Sequence, residues 1–170
     1  MSNYREIVTK AVVGKGKKKD SKEFTFKVEK NISKALGCWI INHEFIPVLK
    51  EDKTFIKGSY DINVWYAYDD DTKTDIYKVT QEYEEEIVLK MKQGEIIKPS
   101  SELKAFCLKY PTCTNLSARE GNIILTVEKD FSLDVIGETK LKIQVSKLEE
   151  DEWSLDDEID SSVNVNYINK

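Results

Sequence analysis

Period-two alternation of apolar and polar positions runs through much of this chain. Phe24, Phe26 and Val28 fall on one side of an extended backbone, with Thr25, Lys27 and Glu29 on the other. Tyr60, Ile62, Val64, Tyr66 and Tyr68 share a face opposite Asp61, Asn63, Trp65 and Ala67. Leu141, Ile143 and Val145 alternate with Lys140, Lys142 and Gln144. Successive side chains leave a pleated backbone on opposite faces, so this pattern predicts half-buried strands. Turn signals separate the runs, at residues 69–72 and at Gln93-Gly94-Glu95, Glu120-Gly121-Asn122 and Ile136-Gly137-Glu138. Glycine supplies positive φ at such corners, and Asp or Asn bonds the nearby backbone. Pro47, Pro99 and Pro111 are each expected in a connection. Residues 79–91 carry two periods. Val79, Tyr83, Ile87 and Met91 recur every four residues, as on a helix, yet Ile87, Leu89 and Met91 also alternate with Val88, Lys90 and Lys92. Strand is favoured there. Several short strands at this spacing predict an all-β fold, an antiparallel β-sandwich or an open barrel.

Charge changes the picture at both ends. Residues 149–170 hold eight acids against one base, Lys170, and so carry −7 of a formal net charge of −5, leaving +2 on the remainder. The first 30 residues hold nine bases against four acids. Low hydrophobicity with high net charge does not offset the entropy of ordering. A β-rich domain over residues 1–148 and a disordered, flexible acidic C-terminal tail over residues 149–170 are therefore expected. Trp153, Leu155 and Ile159 punctuate the tail, either as docking anchors or as incidental apolar residues; composition favours neither. No apolar stretch at the start resembles a signal peptide, and the longest apolar run, residues 35–41, is too short for a bilayer span of roughly 20 residues. Use in the cytoplasm, or on a surface reached from it, without membrane insertion, is the expectation.

Candidate chemistry is sparse. His43 is the sole histidine, and no nucleophile, base and orienting group fall into an arrangement, so a packed structural histidine is expected. Cys38, His43, Cys107 and Cys113 lack the paired spacing of zinc sites, and semi-buried free thiols are the expected state, with a later intermolecular disulfide open to them. Gly14-Lys15-Gly16-Lys17-Lys18-Lys19 lacks the spacing of a phosphate-binding loop, and an overall acidic chain is a poor nucleic-acid binder. A basic loop meeting acidic protein surfaces fits better. Asp69, Asp70 and Asp71 lack the spaced ligands of a calcium loop and read as a solvated hairpin turn. A carboxylate hydrolase using Glu44 or residues 82–86 places its acids where solvated strand faces are expected. No enzyme activity, metal or cofactor is expected. The residues expected to contact proteins are Lys15, Lys17, Lys18, Lys19, Tyr60, Trp65 and Tyr66, and, in the tail, Glu149, Glu150, Asp151, Glu152, Trp153, Asp156, Asp157, Glu158 and Asp160.

Four blocks together resemble one family. They are Tyr4-Arg-Glu-Ile-Val-Thr-Lys-Ala-Val-Val-Gly-Lys-Gly, Leu36-Gly-Cys-Trp-Ile-Ile-Asn-His43, Gly58-Ser-Tyr-Asp-Ile-Asn-Val-Trp-Tyr66 and Val135-Ile-Gly-Glu-Thr-Lys140. They are similar, in the same order, to the outer spore coat morphogenetic protein CotE family of endospore-forming bacteria. The resemblance implies a structural protein made in the mother-cell cytoplasm. It would oligomerise around the developing spore and recruit outer-coat proteins onto an inner coat layer, at the outer coat boundary. The family's acidic C-terminal region corresponds to residues 149–160, but the tail here is short and ends in an almost uncharged stretch. The alternative is a monomeric adaptor that docks one partner.

Overall fold

The computed structural model describes residues 3–145. Those residues form seven strands and no helix: β1 (Asn3–Lys27), β2 (Ile32–Lys50), β3 (Lys53–Tyr68), β4 (Lys73–Ile87), β5 (Lys90–Met91), β6 (Glu102–Arg119) and β7 (Asn122–Val145). They make two antiparallel sheets that do not close into a barrel, with orders β5-β1-β7-β6 and β2-β3-β4. The all-β expectation holds. Period two also decides residues 79–87, where Val79, Tyr83 and Ile87 turn inward and the even-numbered residues are exposed.

The chain divides into two compact units. Within the smaller, the described residues are the first part of β1, through Lys10, and the end of β7, from Glu138. An exposed ion pair joins Glu6 and Lys140 at 4.0 Å. Leu141 and Ile143, expected on a half-buried face, are exposed. Among the described residues of this unit, two strands alone supply no second layer to cover them.

The larger unit, Ala11–Gly137, holds the core. Along β7, Ile123, Leu125, Val127, Phe131, Leu133 and Val135 are fully buried, all at odd positions, and Lys129 occupies the remaining odd position of that row. Opposite them β3 buries Ile56, Tyr60, Ile62, Val64 and Tyr66. The turn between β3 and β4 holds Asp69, Asp70 and Asp71 at φ of 52°, 55° and 66°, a conformation aspartate tolerates better than most residues. Thr72 closes the turn by donating its N–H and its hydroxyl to the Asp69 carbonyl.

Three local expectations are corrected. Gly137 is no corner: strand β7 continues past it, and a Cβ there would lie 3.3 Å from Val13 Cγ2, so the glycine serves close packing. Pro47 and Pro111 lie inside strands, β2 and β6, rather than connections. Each of those strands edges its sheet, where proline is best tolerated, and Pro111 also sits within the register shift between Lys109 and Thr112. Finally, Lys15, Lys17, Lys18 and Lys19 lie on strand β1, not on a loop. The neighbouring glycines are explained by the passage of residues 87–91 against β1. A Cβ on Gly14 would meet Met91 Sδ at 2.2 Å, and one on Gly16 would meet Ile87 Cγ2 at 2.5 Å.

Candidate functional site

Two apolar clusters fill the larger unit, and a polar layer separates them. One cluster gathers Ile123, Leu125 and Val127 of β7 with Tyr60, Ile62, Val64 and Tyr66 of β3. The other gathers Phe131 and Leu133 of β7 with Ile56 of β3 and Ile87 of β4. The inward positions between them are Lys129 on β7 and Gly58 on β3. Lys129 is 2% exposed, and its ammonium donates to Asp20 of β1 at 2.5 Å and to Glu85 of β4 at 3.3 Å. The same ammonium lies 4.5 Å from the centroid of the Tyr83 ring. Tyr83 pairs directly with Gly58 across β3 and β4 and packs against both clusters. A buried ammonium needs this many partners, because an isolated one would be too costly to desolvate.

His43 completes the layer from β2. Its Nε2 is 2.5 Å from the Tyr83 hydroxyl, and its ring stacks on Phe45 at 5.1 Å and meets Tyr110 edge-on at 6.1 Å. Nδ1 is buried with no partner. An imidazolium would need an acceptor there, so the neutral ring is favoured. Burial first, and the nearby Lys129 charge second, hold the His43 pKa below its ordinary value. Burial likewise pushes the Tyr60 and Tyr83 phenols well above theirs. The layer therefore combines a neutral imidazole, neutral phenols and a compensated ammonium, an arrangement suited to joining strands of both sheets.

A pH dependence follows. The unfolded chain takes up a proton on His43 near pH 6.5, while the folded chain resists it to lower pH. The unfolded state then binds more protons in that window, so stability present above about pH 6.5 declines as pH falls toward the folded value. The urea midpoint of the wild type should drop more between about pH 7.5 and about pH 5.5 than that of His43→Phe. Equal drops in the two proteins would remove His43 from the account.

The outward face of the three-stranded sheet has a different character. Trp65 of β3 stands in a row with Gly37 of β2 and Ile76 of β4, while Trp39 and Ile41 follow along β2. Trp39 and Trp65 are 51% and 42% exposed, with ring centroids 6.2 Å apart, and the Trp39 ring lies over Gly37. Ile41 and Ile76 are exposed beside them. Polar residues border this platform: Asp61 accepts from Asn42 at 2.8 Å and from Thr80 at 2.6 Å.

The expected contact residues separate accordingly. Trp65 is on the platform, whereas Tyr60 and Tyr66 are buried in the core and have no side chain to offer a partner. Their alternation with Trp65 on one strand puts them on the opposite face. Lys15, Lys17 and Lys19 are exposed on β1, and Lys18 is half-buried on the other side of that strand. Glu149, Glu150, Asp151, Glu152, Trp153, Asp156, Asp157, Glu158 and Asp160 lie outside the described residues, as does the expected boundary at residue 148. Among residues 82–86, the outward Glu84 is paired with Lys50 at 2.7 Å and the inward Glu85 belongs to the Lys129 layer. Among the described residues no three His, Cys, Asp or Glu side chains converge as metal ligands.

Residues 3–168 match the family described as outer spore coat protein E (CotE). The chain belongs to that family. It is a spore coat protein, of a family whose members are structural components of the coat and are set among other coat proteins. No curated protein and no solved structure matches it. The four sequence blocks that resemble the CotE family lie on β1, β2, β3 and β7. They supply both the platform residues Trp39 and Trp65 and the layer residues His43 and Gly58. Asp20, Tyr83, Glu85 and Lys129 were not singled out in the sequence as partners of one another. Their one signal is a lysine in the odd-numbered apolar row of β7.

Proposed function

We propose that this CotE-family chain is a non-catalytic morphogenetic scaffold. It is made in the mother-cell cytoplasm, self-associates, and recruits outer-coat proteins at the outer coat boundary of the developing spore. The observation that carries self-association is the Trp39 and Trp65 platform. Large apolar side chains grouped on a sheet face and bordered by polar residues are the composition of a protein interface. Tryptophan contributes strongly to such interfaces because it buries a large area at small entropic cost. Family membership supports recruitment of coat proteins as the purpose of the assembly.

Charge supplies a second contribution. The exposed Lys15, Lys17 and Lys19 of one copy meet the acidic residues 149–160 of another, giving a head-to-tail contact. Such contacts weaken as the Debye length shrinks from about 10 Å at 0.1 M salt to about 3 Å at 1 M. The test is light scattering after size exclusion on the full chain and on a Trp39→Ser, Trp65→Ser double variant, over a range of protein and salt concentrations. Wild-type particles larger than a monomer are expected, shrinking with salt, and the double variant should shift to smaller species. A wild type that stays monomeric throughout would discard the scaffold and leave a single-partner adaptor.

A further inference from the structure

Cys38 and Cys113 are on β2 and β6, edge strands of different sheets with no ladder between them. Both thiols are half-buried and pack against the same apolar cluster, the one containing Tyr60, Ile62 and Val64. The two strands run side by side, with Cα atoms approaching within 8 Å. His43 and Tyr110, on the same two strands, meet edge-on, and Cys38 and Cys113 lie beyond them in opposite chain directions, as an antiparallel alignment of β2 with β6 requires. Cys113 is also among the groups that act on the Cys38 thiol. Cys107 is placed differently. It packs against the other apolar cluster.

We propose that Cys38 and Cys113 form an intramolecular disulfide that fastens β2 to β6 when the protein meets an oxidising low-molecular-weight disulfide. The bridge would join the two sheets along a side where no hydrogen-bond ladder does so. A disulfide requires Cα atoms separated by roughly 4.4–6.8 Å, a spacing compatible with strands in this close approach. One of the two thiols, as its thiolate, displaces a thiolate from the small disulfide and is left as a mixed disulfide. The other thiol then loses its proton to solvent and attacks the protein sulfur of that mixed disulfide, expelling the second small thiolate, which takes up a proton. Two protein thiols and one small disulfide become one protein disulfide and two small thiols, and the electrons balance.

The full-length protein, freed of reductant, is treated with excess glutathione disulfide and then alkylated, digested and mass-mapped. The expected product is a monomer lighter by two hydrogens, with Cys38 and Cys113 peptides joined and Cys107 alkylated. Its urea midpoint should be higher than that of the reduced protein, and reductant should reverse the shift. Cys107→Ser should behave as the wild type. Cys38→Ser and Cys113→Ser should each lose the bridge and stop at the mixed disulfide on the remaining thiol of the pair, a readout that requires no change in stability. A bridge containing Cys107, disulfide-linked dimers as the main product, or a wild type that stops at the mixed disulfide would overturn the proposal.

Discussion

Replacing Lys129 by methionine is expected to destabilise the fold by about 3–5 kcal/mol, the usual consequence of removing one member of a buried ion group. The lysine side chain is 2% exposed, and its two carboxylate partners, Asp20 and Glu85, are 18% and 20% exposed. Water therefore replaces the ammonium only in part. Methionine fills most of the volume and suits the apolar row of β7, so the loss reports charge rather than a cavity. The carboxylates would be left without their cation, and the Tyr83 ring would lose the charge 4.5 Å from its centroid. Adding Asp20→Asn and Glu85→Gln to Lys129→Met should recover most of the loss, because the uncompensated charges go with it. Lys109→Met is the control. Its partner Glu128 is at 2.8 Å, but both side chains are more than a third exposed, and pairs of that kind contribute little. Urea unfolding at neutral pH measures all three variants. A Lys129→Met midpoint equal to that of wild type would show that the buried group does not hold the layer.

The sheets were legible in the sequence because their inner and outer residues alternate. Residues 60–68 and 24–28 declared their faces, and the structure buries the faces so declared with few exceptions, Ala67 among them. The polar layer was not legible. Lys129 and Asp20 are 109 positions apart, and Lys129 and Glu85 are 44 apart, so local pattern carries no trace of their meeting. A period says which face a side chain takes, but not which strands face one another. The same gap explains the glycines. Gly137 followed an apolar run and preceded Glu138-Thr139, which is the composition of a corner, yet its role is to admit Val13. Gly14 and Gly16 beside lysines suggested a basic loop, whereas they make room for residues 87–91. A glycine chosen for positive φ and one chosen for close approach are identical in sequence. Trp65 was separable from Tyr60 and Tyr66 by parity alone, since it falls among Asp61 and Asn63.

Gly58 is where close approach and the polar layer coincide, and Gly58→Ala is expected to cost about 2–3 kcal/mol, toward the upper end for overpacking. A Cβ there would lie 2.3 Å from the Glu44 carbonyl oxygen, 2.5 Å from the Tyr83 hydroxyl and 2.8 Å from Tyr83 Cζ. One obstacle is backbone and the other is a ring fixed on both sides, so neither gives way freely. Glu44 ends the register shift between Ile41 and Glu44 in β2, where Asn42 takes φ of 55° and His43 turns inward. Moving that carbonyl displaces His43. Moving the ring breaks the contact of its hydroxyl with His43 Nε2 and draws it away from Lys129. Gly94 and Gly121 provide the contrast. A Cβ on either meets nothing within 4 Å, and alanine there costs only the left-handed φ of 79° or 78°, about 1 kcal/mol. Chemical unfolding should therefore rank Gly58→Ala well below Gly94→Ala and Gly121→Ala in stability. A double-mutant cycle should find Gly58→Ala and His43→Phe non-additive, because one strained contact cannot be lost twice. Additive effects, or a Gly58→Ala protein as stable as wild type, would mean that Tyr83 has room to move and that the layer is not anchored at this glycine.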